Sequence, residues 1–279
     1  MVQLIKLKPR ERLRIVKGVF EHMIFDTHAH YDDKAFEEDR KEILGSLPQA
    51  GIGRVVNVGS DLASCESTVE LARKYPYFYA AVGVHPSNTA ELDEKKLEWL
   101  KFLCREKKCV AVGEIGLDYH WDDVAPAVQR EWFARQLSLA QEANLPVIIH
   151  SREALKDTID IMKAQHAEKT GGVIHCYSYT KESAAAFLDM GYYFGIGGVI
   201  TFKNGKRLKE TVEYLPMDRI VIETDCPYLS PEPNRGKRNS SLNLTYVLEA
   251  IAAIRRLTVK EVEQITWDNA CRLYRMEEN

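Results

Sequence analysis

Four histidines and two carboxylates lie at the ends of short apolar runs along the 279-residue chain. Imidazole nitrogens and carboxylate oxygens are the usual protein ligands of divalent metal ions. A carboxylate that is buried without a partner costs several kcal/mol, and a cation beside it removes that cost. The pattern predicts a metal site, provided that the fold brings the ends of these runs together. The candidate ligands are His28, His30, Glu114, His150, His175 and Asp225.

The number of candidate ligands bears on the number of metal ions. His28 and His30 are two residues apart, so both side chains face the same way if the segment is extended. Six ligands exceed the roughly three that a catalytic zinc ion takes from a protein. Two divalent ions about 3.5–4 Å apart, bridged by one carboxylate, fit the set better. Zinc, manganese and magnesium all remain open.

The elements that must position these residues repeat from Met23 onward: an apolar run, a turn and a longer amphipathic stretch. Residues 126–143 and 61–75 are typical of the helices in this pattern, since Pro126 fits a first turn and Asp61 an N-cap. Eight strands are predicted, at residues 24–28, 54–59, 78–84, 110–115, 146–150, 172–176, 192–197 and 219–224.

This alternation predicts an α/β fold, a single (β/α)8 TIM-type barrel over residues 23–279 with two or three closing helices after Ser241. The alternative, an open doubly wound sheet, would usually carry a glycine-rich phosphate turn after its first strand. Here the first strand ends in His28 and His30 instead. Active sites of barrels lie at the carboxyl ends of the strands, so all six candidate ligands are expected on one rim.

Composition narrows the class of protein further. The formal net charge of −3 argues against a surface coated with positive charge for binding a duplex. The six cysteines are scattered, which favours reduced thiols, and no apolar stretch is long enough to span a membrane. We expect a cytoplasmic enzyme with no membrane contact and no obligate protein partner. Residues 1–22 form a basic extension that need not belong to the fold, so either Met1 or Met23 is the true start.

Six segments in chain order resemble the TatD family of metal-dependent hydrolases. They are residues 25–30 (FDTHAH), 83–86 (GVHP), 113–118 (GEIGLD), 146–152 (PVIIHSR), 223–227 (ETDCP) and 235–239 (RGKRN). The resemblance implies an amidohydrolase-type barrel with two divalent metal ions. It implies that His28, His30, Glu114 and Asp225 hold one ion. Glu114, His150 and His175 would hold the other, with Glu114 as the bridge.

Two basic loops suggest the substrate, because barrels often bind phosphate with the loops after strands seven and eight. They are residues 203–207 (KNGKR) and 235–238 (RGKR). The expected substrate is therefore a phosphodiester. The resemblance agrees, since TatD relatives include DNases that often act from a 3′ end. Single-stranded or frayed DNA is favoured, and Trp121, Tyr119 and Phe202 are candidates for stacking a base, although such aromatic residues are as often structural. The predicted substrate contacts are His85, Lys203, Lys206, Arg235, Lys237 and Arg238.

Three carboxylates are candidates for the catalytic chemistry. We assign the general base to Asp225, because the basicity of Glu114 is suppressed if two cations share it. Glu223 is the competitor, since it lies two residues earlier and would face the same side one layer deeper.

Two other functions remain open at this point. An amide or ester hydrolase, including an aminoacyl-tRNA deacylase, would use the same activated water on a carbonyl group. A non-catalytic nucleic-acid-binding barrel is the alternative from another class, and the full ligand set argues against it.

Overall fold

The computed structural model describes residues 23–276, so the basic extension predicted at residues 1–22 lies outside the described residues. Eight parallel strands follow one another in sequential order around a single sheet, each paired with its neighbours along the chain. This arrangement confirms the predicted (β/α)8 barrel. The strands are β1 (Ile24–Ala29), β2 (Ile52–Val58), β3 (Phe78–Val82), β4 (Cys109–Asp118), β5 (Val147–Arg152), β6 (Gly172–Ile174), β7 (Tyr193–Ile196) and β8 (Ile220–Ile222).

Helices connect the strands on the outside of the barrel, and two more close the chain after β8. They are α1 (Arg40–Ser46), α2 (Leu62–Lys74), α3 (Glu94–Leu103), α4 (Pro126–Ala143), α5 (Leu155–Ala164), α6 (Lys181–Asp189), α7 (Lys206–Tyr214), α8 (Leu244–Arg255) and α9 (Val259–Leu273). Asp61 caps α2 by accepting a hydrogen bond from Ser64 N, and Pro126 opens α4, as the sequence predicts. Within residues 23–276, no helix has both the length and the apolar character needed to cross a membrane.

The strands are apolar without alternation because both of their faces are covered. Every residue of β1, β4, β6, β7 and β8 is buried. Such continuous burial is typical of parallel strands between a packed barrel interior and an outer layer of helices. Polar residues within these strands are therefore exceptions, and most of them lie near the carboxyl ends.

The barrel closes between β8 and β1 through few but specific contacts. Asp225 N donates to His28 O at 2.9 Å, and His30 N donates to Cys226 O at 2.8 Å. Below them, the buried Asp26 carboxylate accepts hydrogen bonds from Thr224 Oγ1 at 2.7 Å and Ser241 Oγ at 2.6 Å. Burial raises the pKa of Asp26 to about 7, although these hydrogen bonds oppose the rise. The seam of the barrel thus fixes three candidate ligands, His28, His30 and Asp225, against one another.

Candidate metal centre

A first group of candidate ligands meets at the seam of the barrel. Nε2 of His28 lies 3.0 Å from Nε2 of His30. Oδ1 of Asp225 lies 3.3 Å from Nε2 of His30 and 3.7 Å from Nε2 of His28. Ligands about 2.0–2.1 Å from a tetrahedral ion stand about 3.4 Å from one another, so this spacing fits one metal ion.

Glu114 connects this group to a second one. Its Oε2 atom lies 3.5 Å from His28 Nε2, on the side of the first group. Its Oε1 atom lies 2.7 Å from His150 Nδ1 and 3.7 Å from His175 Nε2. The two oxygens of one carboxylate therefore face two sets of nitrogens, which is the arrangement that a bridging ligand requires. We call the six residues His28, His30, Glu114, His150, His175 and Asp225 the metal cluster.

An oxygen atom lies behind the ring of three histidines of the metal cluster, as a hydrogen-bond partner for His30 and His150 and as a close carboxylate for His175. His30 Nδ1 lies 2.8 Å from Val58 O, and His150 Nε2 lies 2.8 Å from Asp118 Oδ2. His175 Nδ1 lies 3.1 Å from Glu223 Oε1. Metal-bound histidines nearly always hold their second ring nitrogen in this way, which fixes the tautomer and turns the other nitrogen inward.

The electrostatics of the metal cluster favour positive charge at its centre. Burial alone would lower the pKa of His30, but the Asp225 and Glu114 carboxylates raise it to about 9. Burial would raise the pKa of Glu114, but the surrounding histidines, His175 foremost, hold it well below its usual value. The carboxylates thus remain ionised, and cations beside them would stabilise their buried charge. Divalent metal ions fit both the charge and the mixed nitrogen and oxygen donors.

Asp225 and Glu223, the two candidate bases, occupy different layers. Asp225 lines a pocket above the metal cluster, and its side chain is 16% exposed. Glu223 is 1% exposed and lies behind His175, where it also accepts a hydrogen bond from Cys176 N at 2.6 Å. A Cβ atom at Gly195 would lie 2.2 Å from Glu223 Oε2, so the neighbouring strand has room for this carboxylate only because residue 195 is glycine.

Asp118 belongs to the site although the sequence analysis did not single it out as a ligand or a catalytic group. It is the last residue of β4, four positions after Glu114, and is 2% exposed. The signal was available, because residues at even spacing on a strand share a face. The ends of β4 and β5 are in register here, with Asp118 beside Arg152 and Gly116 beside His150.

Above the metal cluster lies a pocket of about 700 Å³, which we call the metal pocket. Of the predicted substrate contacts, His85 lines it and the five basic residues of the two loops do not. Lys206 lies in a separate groove, where its Nζ atom is 3.7 Å from Glu210 Oε1. Arg238 forms an ion pair with Asp39, with Nη1 and Oδ1 2.7 Å apart. The two loops do touch, since the Arg235 guanidinium lies 4.2 Å from the centre of the Phe202 ring.

The three aromatic residues considered for base stacking lie in different surroundings. Trp121 lines the metal pocket and is 53% exposed. Tyr119 is partly buried, and its hydroxyl donates to Asp157 Oδ2 at 2.8 Å. Phe202 is buried beneath Arg235. Trp121 is therefore the one of these three whose ring lines the pocket.

A (β/α)8 barrel whose carboxyl rim carries clustered histidines and carboxylates defines the class of metal-dependent hydrolases. Within that class the chain belongs to the TatD family, since the model of the family described as TatD related DNase matches residues 25–275. It is 42% identical over 254 residues to the uncharacterised metal-dependent hydrolase YabD of Bacillus subtilis, and the match covers 91% of this chain and all of that relative. It is 31% identical over 259 residues to the 3′-5′ ssDNA/RNA exonuclease TatD of Edwardsiella piscicida, and this match covers 91% of this chain and all of that protein.

A solved structure agrees with the family. The crystal structure of YjjV, a TatD homologue from Escherichia coli K12, superimposes with a TM-score of 0.86 at 30% sequence identity. The match covers 93% of this chain and all of the YjjV chain.

Proposed function

We propose that this protein is a deoxyribonuclease that hydrolyses phosphodiester bonds in single-stranded or frayed DNA. The observation that carries the proposal is the placement of Glu114, whose two oxygens face two sets of ligands beneath a pocket of substrate size. The Edwardsiella relative, named a 3′-5′ ssDNA/RNA exonuclease, supports the same substrate class.

The metal cluster would hold two divalent ions, zinc, manganese or magnesium. One would take His28, His30, Glu114 and Asp225, and the other Glu114, His150 and His175. When bound, such ions supply Lewis acidity toward a phosphoryl oxygen and lower the pKa of water. The protein's part is to fix these ligands and to handle the proton.

Asp225 is the carboxylate that we assign to accept the proton. It lines the metal pocket, and its side chain, 16% exposed against 6% for Glu114, is the more accessible of the two cluster carboxylates. Glu223 is buried behind His175, so its role is to orient that ring. This assignment separates the base from the positioning residue by their layers in the barrel.

His85 is suited to hold a substrate oxygen. Its Nδ1 atom accepts a hydrogen bond from Ser87 N at 3.2 Å, so the proton of the neutral ring resides on Nε2. Nε2 faces the metal cluster, 3.9 Å from Glu114 Oε1, and is free to donate to a group that enters the metal pocket.

The size of the pocket supports the preference for single strands. A volume of about 700 Å³ is within the range that encloses a small ligand, so one or two nucleotides at a strand end would fill it. A base-paired duplex would have to separate first. The basic loops with Lys203, Lys206, Arg235, Lys237 and Arg238 would then contact only more distant parts of the strand.

The test is hydrolysis by metal-reconstituted protein of four substrates: a single-stranded oligonucleotide, the matching blunt duplex, a cyclic amide and a misacylated tRNA. We expect cleavage of the single strand, and slower cleavage of the duplex. Glu114→Gln should abolish it, which excludes a contaminating nuclease, and Glu210→Gln on the outer surface should leave it unchanged. Cleavage of the amide or the tRNA ester in place of the oligonucleotide would contradict the proposal, as would binding of DNA without hydrolysis.

A further inference from the structure

Arg152 is a basic residue placed by its strand at the mouth of the metal pocket. It ends β5, two residues after His150, so both side chains leave the same face of the strand. Two residues along a strand span about 6.6 Å, which puts Arg152 one layer nearer to solvent than the metal cluster. Both residues line the metal pocket. A group that binds a metal ion through one phosphate can therefore reach Arg152 with a neighbouring one.

The charge of Arg152 is available for a ligand. Of the described residues that line the metal pocket, six are carboxylates, and Lys34 and Arg152 alone carry a fixed positive charge. Among residues 23–276, the Arg152 guanidinium makes no hydrogen bond or ion pair with another side chain, and it lies over the ring of Trp121. Its planar fork of donors suits a phosphate, whereas Lys34 is a single point charge on an exposed turn.

Trp121 supplies a flat apolar surface beside that charge. The guanidinium carbon lies 5.6 Å from the centre of the indole ring, which is 53% exposed. The loop that carries Trp121 is tied to the end of β5, because His120 Nδ1 lies 2.7 Å from Glu153 Oε1. The His120 ring also meets the indole edge-on at 4.7 Å. An exposed tryptophan held in place over a pocket is suited to stack a nucleobase.

We propose that Arg152 and Trp121 form a nucleotide subsite of the metal pocket, in which Arg152 binds a phosphate beside the scissile one and Trp121 stacks the adjoining base. This inference rests on the proposed phosphodiesterase function. It names the two residues that select a single strand, because a base can reach the indole only when it is unpaired.

The experiment measures binding of a fluorescently labelled, cleavage-resistant phosphorothioate oligonucleotide to the metal-loaded protein by anisotropy. Arg152→Gln should weaken binding about 10-fold or more and make the slope of log K against log salt less steep by about 0.7, as for one lost phosphate contact. Trp121→Ala should weaken it about 5- to 150-fold with little change in that slope. Trp121→Phe should restore most of the affinity.

A matched control comes from the other end of the barrel. Arg219, just before β8, lies 5.3 Å from the centre of the ring of Tyr193, the first residue of β7. Arg219→Gln therefore removes a similarly stacked charge far from the metal pocket. It should leave binding and salt slope unchanged. Metal content measured on every variant checks that the metal cluster is intact.

Oligonucleotides with one abasic position each locate the stacked base. The loss caused by Trp121→Ala should disappear at one abasic position near a strand end and persist at the others. If the wild-type protein cleaves and binds the oligonucleotide but Arg152→Gln and Trp121→Ala bind it as Arg219→Gln does, the subsite is refuted and the proposed function stands. If the wild-type protein neither binds nor cleaves any oligonucleotide, both fail.

Discussion

The metal cluster forms the floor of the metal pocket, and Arg152 at the end of β5 and Trp121 on the loop after β4 form its wall; the two are held in place in different ways. On the floor, no side chain of the metal cluster is more than 18% exposed, and His30, His150 and His175 each have an oxygen atom close behind the ring. On the wall, Arg152 and Trp121 are exposed and hold each other by stacking. A rigid floor suits ions with fixed geometry, and a less constrained wall suits a substrate of variable sequence. The floor should therefore be far more sensitive to substitution.

The largest effect is expected at Glu114, because it faces both ligand sets. Glu114→Gln keeps the shape but removes the charge that two cations would share. We expect loss of bound metal and a fall in oligonucleotide hydrolysis of about 10³-fold or more, since the metal contribution is several kcal/mol. Elemental analysis and initial rates measure the two effects. Retention of both ions would show that Glu114 is not the bridge.

The next effect separates the two candidate bases. Asp225→Asn should keep much of its metal while kcat falls roughly 10²–10⁴-fold, because the proton acceptor is lost. Glu223→Gln should lower kcat less, since Glu223 acts only through His175. The measurement is kcat against pH together with metal content. Near-normal turnover in Asp225→Asn and none in Glu223→Gln would make Glu223 the base.

A smaller effect is expected behind the floor, at Asp118. Asp118→Asn removes the carboxylate that orients His150, and such partners are typically worth about 10- to 100-fold in metal affinity or activity. A competition titration with a metal indicator should show one ion weakened and the other unchanged. Asp122→Asn, an exposed neighbour on the following loop, is the control. If the two variants bind metal alike, Asp118 plays no part in holding the ion.

The smallest effects are expected on the outer loops. Arg235→Ala should weaken oligonucleotide binding less than about fivefold, as is usual for an exposed charge, and should flatten the salt slope by at most about 0.7. Lys206→Ala should change both still less, because Lys206 lies in a separate groove beside Glu210. Salt-dependent anisotropy titrations measure both. A loss in Lys206→Ala as large as that in Arg152→Gln would place the substrate on the loops and not on the wall.

The fold and the floor were accessible from the sequence because both follow from periodicity. Apolar runs at regular spacing predict parallel strands, and in a barrel the ends of such strands must converge, which brings His28, Glu114 and Asp225 together. The deeper layer of Glu223 follows from the same alternation. Asp118 was missed because the predicted strand stopped at residue 115, whereas β4 continues to Asp118.

The loops could not be predicted in this way, because no period fixes the direction of a loop side chain. Arg238 lies in a loop whose composition is typical of phosphate binding, but it forms an ion pair with Asp39, which is 199 positions away in the chain. Such a partner is visible only after folding. Arg152 shows the converse, since within residues 23–276 no carboxylate forms an ion pair with its guanidinium, although Asp118 lies beside it in the strand register.

The most direct test of the central claim is the number of divalent ions that the metal cluster holds. Elemental analysis of metal-reconstituted protein should give two ions per chain for the wild type and about one for His150→Ala and for His175→Ala. His166→Ala, at an exposed histidine outside the metal cluster, should retain two. Two ions in both cluster variants, or none in the wild-type protein, would contradict the account.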